Sequence, residues 1–115
     1  MIENQRKKIA TSRFSENTLQ LECIAWFRNE YERSKKGCIV PVPNELAFKR
    51  KDVVIRDGCS DLIVFLPGKT IFAELKVKYN KQQDNQIEFQ LLVETLGFNY
   101  YLIRSLDEFK NLIKL

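Results

Sequence analysis

The apolar positions of this chain fall into blocks of different period. Leu19, Cys23, Ile24, Trp26, Phe27 and Tyr31 recur at the three- and four-residue spacing of a helix face. Ser15 opens that block in Ser-Glu-Asn-Thr, where its hydroxyl can accept a free backbone N–H of the first turn. The spacing predicts a helix from Ser15 to about Arg33, stopped by Gly37. Cys38 to Val42 is a short apolar run broken by Pro41 and closed by Pro43, which predicts a short or edge strand. Residues 44–58 are mixed and basic, and their pattern fits a short helix or a loop equally well. Ser60–Leu66 and Thr70–Lys78 both carry strand patterns, and Leu66-Pro67-Gly68-Lys69 can turn between them, so a hairpin is expected. Asp84 is the expected cap of a second helix, with Phe89, Leu92, Val93 and Leu96 on one face, Ile87 and Leu91 on the other, and Gly97 as its stop. Apolar residues on two sides predict a well-buried helix. Phe98–Ile103 reads as the last strand, and Ser105 caps a short helix, Leu106–Ile113. This order is that of an α/β protein with a mixed sheet flanked by helices, and no internal repeat is visible.

Composition narrows the chemistry. The chain has 115 residues, 44% hydrophobic and 30% charged, which is enough for one core without disulfides or a structural metal. Residues 1–14 carry Arg6, Lys7, Lys8 and Arg13 against Glu3 alone, so they read as a basic flexible tail before a single domain, 15–115. Cys23, Cys38 and Cys59 are odd in number and lack Cys-x-x-Cys spacing, which argues against a disulfide framework or a four-ligand zinc site. No apolar run reaches the roughly 18 residues of a membrane span and no signal peptide is visible, so a cytoplasmic protein without a membrane partner is expected. The sequence contains 0 His, which removes Ser-His and Cys-His nucleophile pairs and imidazole zinc sites. Any catalysis must then come from carboxylates, lysine and a hard metal ion. The net charge of +4 inclines the partner toward nucleic acid.

The hairpin holds the candidate chemistry. If it turns symmetrically about Pro67-Gly68, Leu66 faces Lys69 and, counting outward, Asp61 faces Glu74. Opposed side chains share a face with Cβ atoms roughly 4.5–5.5 Å apart, and two like charges there repel unless a cation lies between them. Alternation puts Glu74 and Lys76 on one face, with Ala73, Leu75 and Val77 on the other. Two carboxylates with backbone or water oxygens suit Mg²⁺. Such an ion can polarise a phosphodiester and lower the pKa of a bound water. Lys76 could position or help deprotonate that water, or neutralise charge on the phosphate. The same residues also read as a solvated cross-strand cluster, and the pattern alone leaves both open.

The ordered set is more specific. Pro43-Asn44, Gly58-Cys59-Ser60-Asp61, Glu74-Leu75-Lys76, Gln86 eleven residues before Gly97, and Arg104-Ser105-Leu106-Asp107-Glu108-Phe109 together resemble the PD-(D/E)XK nuclease superfamily. Within it the sequence is most similar to the VRR-NUC (virus-type replication-repair nuclease) family, over roughly residues 15–109. The resemblance implies a restriction-endonuclease-like core with a central mixed β-sheet flanked by helices in αβββαβ order. It also implies Asp61 and Glu74 as metal-binding acids with the backbone carbonyl of Leu75, Lys76 as the catalytic lysine, and Gln86 as a helix glutamine supporting the site. Such families add a glutamate from the first helix; Glu16, ten residues before Trp26 and central on the Leu19, Cys23 and Phe27 stripe, is the candidate, although a first-turn acid placed for the helix dipole reads equally well. Ser60 stands where the family commonly has proline.

The implied activity is Mg²⁺-dependent DNA endonuclease action, with Mn²⁺ as a substitute, on four-way (Holliday) junctions or other branched DNA. Two symmetric cuts at a junction imply a homodimer. A bacterial or phage-infected cytoplasm is the implied setting. Lys78 and Lys81 after the catalytic strand, with Lys49, Arg50, Lys51 and Arg56, are the candidate phosphate contacts. The alternatives are a nuclease for flaps, linear duplex or a restriction-type site, and a non-catalytic nucleic-acid-binding module of the same fold. The aromatic residues fall at core or sheet spacing and are read as packing.

Overall fold

A computed structural model describes residues 16–42 and 60–114. The basic tail, Ser15 and the segment carrying Lys49, Arg50, Lys51, Arg56 and Cys59 lie outside the described residues.

Helix α1 spans residues 16–27 and continues into a π-helical turn, Arg28–Glu32. Strand β1 (Cys38–Pro41), the hairpin β2 (Leu62–Leu66) and β3 (Lys69–Leu75), helix α2 (Asp84–Thr95), strand β4 (Asn99–Ile103) and helix α3 (Leu106–Lys114) follow. The sheet runs β1-β2-β3-β4. The first three strands are antiparallel, and β4 returns parallel to β3 after the α2 crossover. The expected αβββαβ order and mixed sheet are therefore present, with α3 closing the chain.

Alternation assigns the two faces of the sheet. Ile39, Leu62, Val64, Ile71, Ala73, Leu75 and Ile103 point to one side, where they bury against Leu19, Cys23 and Phe27 of α1 and Phe109, Leu112 and Ile113 of α3. Fully buried side chains such as Phe27 and Phe109 each contribute roughly 1.5–3 kcal/mol. The other face meets α2 through aromatics: Phe72 lies edge-on to Phe89 and to Phe98, both at 5.9 Å between ring centroids. Phe89 in turn meets Tyr100 at 6.1 Å.

The predicted hairpin register is the observed one, from Leu66 opposite Lys69 to Leu62 opposite Ala73. Gly68, at φ 67, provides the left-handed residue of the turn. Ser105 opens α3 as expected, accepting the Glu108 N–H at 3.1 Å, while Glu108 accepts the Arg104 N–H at 2.8 Å.

Several boundaries differ from the sequence reading. Lys35, at φ 58, is the left-handed residue after α1, with Lys35 N–H on the Glu32 carbonyl and Lys36 N–H on that of Tyr31. Gly37 serves close packing instead: a Cβ there would meet Phe27 Cζ at 2.7 Å and the Phe65 carbonyl at 2.9 Å. Strand β1 ends at Pro41 and lies at the edge of the sheet formed by the described residues. Gln83, not Asp84, is the N-cap of α2; its N–H donates to Gln86 Oε1 at 2.8 Å. Val93 is the one buried residue of α2, whereas Ile87, Leu91, Leu92 and Leu96 stay exposed. The two-sided apolar pattern thus marks one face against the sheet aromatics and one that no described residue covers.

Candidate active site

The end of the hairpin away from its turn brings four elements together. Asp61 lies one residue before β2, beyond the last paired position Leu62–Ala73. Its carboxylate bridges to the next strand, with Oδ2 accepting the Leu75 N–H at 2.7 Å. Its own carbonyl accepts from Val42 N at 2.9 Å and from the Gln20 side chain of α1 at 3.3 Å. Ser60 is buried, and its hydroxyl donates to the Leu62 carbonyl at 3.3 Å. A serine thus fits where the resemblance expects proline.

Glu74 is the second acid, 0% exposed. Its Oε2 accepts from Gln82 Nε2 at 2.8 Å, but its buried Oε1 has no hydrogen-bond partner. Lys76 follows just beyond the end of β3, also buried, and its backbone N–H reaches the Ile103 carbonyl at 3.0 Å. Glu16, from the first turn of α1, accepts from Asn80 Nδ2 at 2.9 Å. Burial, with the charges of Glu74 and Glu16 adding to it, pushes Asp61 up to about 6; the Leu75 N–H and the Lys76 ammonium act in the opposite direction. Asp61, Glu74, Glu16 and Lys76 therefore share one electrostatic environment.

The other nominated residues are placed differently. Gln86 spends its carbonyl oxygen on the α2 N-terminus, and the glutamine that touches Glu74 is Gln82. Gln82 Nε2 also donates to Gln90 Oε1 at 2.9 Å, tying the loop before α2 to the helix itself. Lys78 does not continue the strand alternation, because β3 ends at Leu75 and Lys78 adopts φ 55 in a turn. It is exposed, as is Lys81. Arg104 braces that turn, donating to the carbonyls of Lys78 and Asn80, each at 3.1 Å.

In the sequence Gln82, Gln90 and Asn80 carry no site role, Tyr100 is taken as packing, and Arg104 enters only as part of the motif after the last strand. A loop glutamine carries no periodicity, and a strand tyrosine reads as packing. The β3–β4 register pairs Phe72 with Tyr100 and Glu74 with Leu102, which sets Tyr100 on the face of Glu74 one diagonal step away. That register, set by the α2 crossover, was the missing signal.

The residues suit a hard cation. A carboxylate buried completely, with one oxygen unpaired and no Lys or Arg salt bridge to it among the described residues, is costly unless a positive charge compensates it. Among the described residues no three His, Cys, Asp or Glu are arranged to hold an ion. Asp61 and Glu74 would then be joined by the Leu75 carbonyl and water, as Mg²⁺ tolerates.

The mixed four-stranded sheet with its flanking helices is an α/β core that gathers acidic side chains at the end of the central hairpin away from its turn. A solved structure described as a VRR_NUC domain is similar over 86% of this chain and 94% of its own, with a TM-score of 0.61 and 23% identity. The chain has the fold of that domain. No protein-family model and no curated protein matches the sequence. No helix among the described residues is long and apolar enough to cross a membrane.

Proposed function

We propose that this chain is a metal-dependent DNA endonuclease of the VRR-NUC type, acting as a homodimer on four-way junctions or other branched DNA. The observation that carries the reading is Glu74: fully buried, with one oxygen unpaired, beside an Asp61 held near a pKa of about 6 and a buried Lys76. The likeness to a VRR_NUC domain supports it.

Asp61, Glu74 and the Leu75 carbonyl would hold Mg²⁺ or Mn²⁺, which when bound polarises the scissile phosphate and acidifies a water. Lys76, whose charge acts on Asp61, would hold a phosphate oxygen and offset the charge that develops as water attacks. Glu16 adds negative charge at the edge of the site and is kept in place by Asn80. Lys78 and Lys81, exposed a few residues after Lys76, can hold neighbouring phosphates.

The test is cleavage of a labelled four-way junction and a linear duplex of the same sequence, with Mg²⁺ or EDTA, by wild type, Asp61→Ala and Glu74→Ala. Metal-dependent cutting of the junction alone, lost in both variants, is the expected result. Cutting of both substrates keeps the nuclease and removes junction selectivity. Cutting of neither across several metals overturns the enzyme, and salt-sensitive DNA binding without cleavage would then identify a binding module. Sedimentation equilibrium checks the homodimer.

A further inference from the structure

The site contains a second unpaired polar atom that the proposed reaction does not use. Tyr100 is 7% exposed, its ring packed on Phe89. Its hydroxyl is buried without a well-formed hydrogen bond. A tyrosine needed only for packing would serve as well as phenylalanine, because a buried hydroxyl with no partner costs about 1–3 kcal/mol. The hydroxyl is not remote from other polar groups: it interacts with the Glu74 and Gln82 side chains, and a phenol O–H is a hydrogen-bond donor. Glu74 Oε1 is a buried acceptor that also lacks a partner.

The geometry points to Tyr100 and Gln82 as positioning residues that together orient the Glu74 carboxylate toward a divalent cation. This rests on the metal-site reading above. Gln82 holds Oε2 at 2.8 Å and is itself fixed by Gln90 at 2.9 Å. Tyr100 approaches the same carboxylate from β4, one diagonal step across the sheet. A carboxylate oxygen has two lone pairs, so Oε1 can accept the phenol proton on one and face a cation with the other. With both oxygens restrained, Glu74 loses its freedom to turn away from Asp61. Hydrogen bonds to a ligating carboxylate commonly set metal affinity to this degree. Neither residue touches the reacting atoms; each acts through Glu74.

The test is Mn²⁺ titration of the full chain, without DNA, by calorimetry, for wild type, Tyr100→Phe and Gln82→Met. Thermal unfolding in EDTA is measured for each. Tyr100→Phe keeps the ring and deletes the unpaired hydroxyl, so the metal-free protein should melt no lower than wild type while its Mn²⁺ Kd rises about tenfold. Gln82→Met should weaken binding by a similar factor. In cleavage assays the Mn²⁺ concentration giving half-maximal rate should rise in parallel, with KM for DNA unchanged. A merely structural tyrosine predicts the reverse, a lower melting temperature with an unaltered Mn²⁺ Kd, and that result overturns the inference. Wild-type affinity in Gln82→Met overturns it as well. If wild type itself binds no Mn²⁺, the metal-site reading falls and this inference with it; if wild type binds and the variants match it, only this inference falls.

Discussion

Asp61 shows how a single side chain is set by its surroundings. Its carboxyl titrates near 6, against an ordinary value of 3.8, because burial and two neighbouring acids disfavour its charge. In the metal-free protein the folded state then holds a proton that the unfolded chain releases. The resulting penalty is absent below about pH 4 and complete above about pH 6, amounting to roughly 3 kcal/mol at most. Stability in EDTA should fall as pH rises through that window, and Asp61→Asn should flatten the fall and raise stability at pH 7; urea unfolding at several pH values measures both. Lys76 has the opposite sign at the same site. Replacing it with methionine should leave Mn²⁺ binding intact or tighter, since a positive charge near the cation is removed, yet slow single-turnover cleavage by about 100-fold or more. That Asp61 and Glu74 lie at the same end of the hairpin was legible in the sequence because a two-residue turn sets the register as far as Leu62 and Ala73. Gln82 was not, because no periodicity governs residues 79–83, and Gln86, four positions later, has the residue type that the resemblance nominates. Only the contact made by each amide distinguishes them: one on Glu74, the other on its own helix terminus.

At the level of elements, the blocks of apolar period were readable and their ends were not. The stripe Leu19, Cys23, Phe27 is buried as its spacing requires. The stop after it is a lysine because two backbone bonds from Lys35 and Lys36 outweigh the modest cost of a left-handed non-glycine residue. Gly37 is then free to lie where α1 and β2 nearly touch. Gly37→Ala should cost about 1–3 kcal/mol, because the Phe65 carbonyl that the new methyl would meet belongs to a paired strand and cannot yield. Chemical denaturation reads this loss, and an unchanged midpoint would mean that β1 and its turn can shift. Helix α2 teaches a different lesson. Its sequence has apolar residues on both sides, which burial within one chain would explain, but only the side bearing Val93 and Phe89 meets the sheet. Periodicity reports which faces are apolar without reporting what covers them.

Across the whole molecule, charge and chemistry are divided between different stretches of the chain. Residues 1–15 and 43–59 contain eight of the 19 Lys and Arg but four of the 15 Asp and Glu, so the entire net charge of +4 resides there. The described residues, which carry the candidate site, balance to zero. Affinity for a polyanion should therefore depend mainly on the first set, and catalysis on the second. Each lysine or arginine that contacts a phosphate contributes about one unit to the slope of log K against log salt. Replacing Lys49, Arg50, Lys51 and Arg56 together with glutamine should weaken binding to junction and duplex alike and flatten that slope by up to about four. It should leave the Mn²⁺ affinity at Glu74 unchanged. Fluorescence anisotropy of labelled DNA between 50 and 200 mM salt, in Ca²⁺ to prevent cleavage, measures the slope, and calorimetry measures the metal. An unaltered slope would move the phosphate contacts to Lys78, Lys81 or the first fourteen residues. A loss confined to the junction would instead make the basic segment a reader of DNA shape, meeting phosphates in an arrangement that the branched backbone has and the linear one lacks.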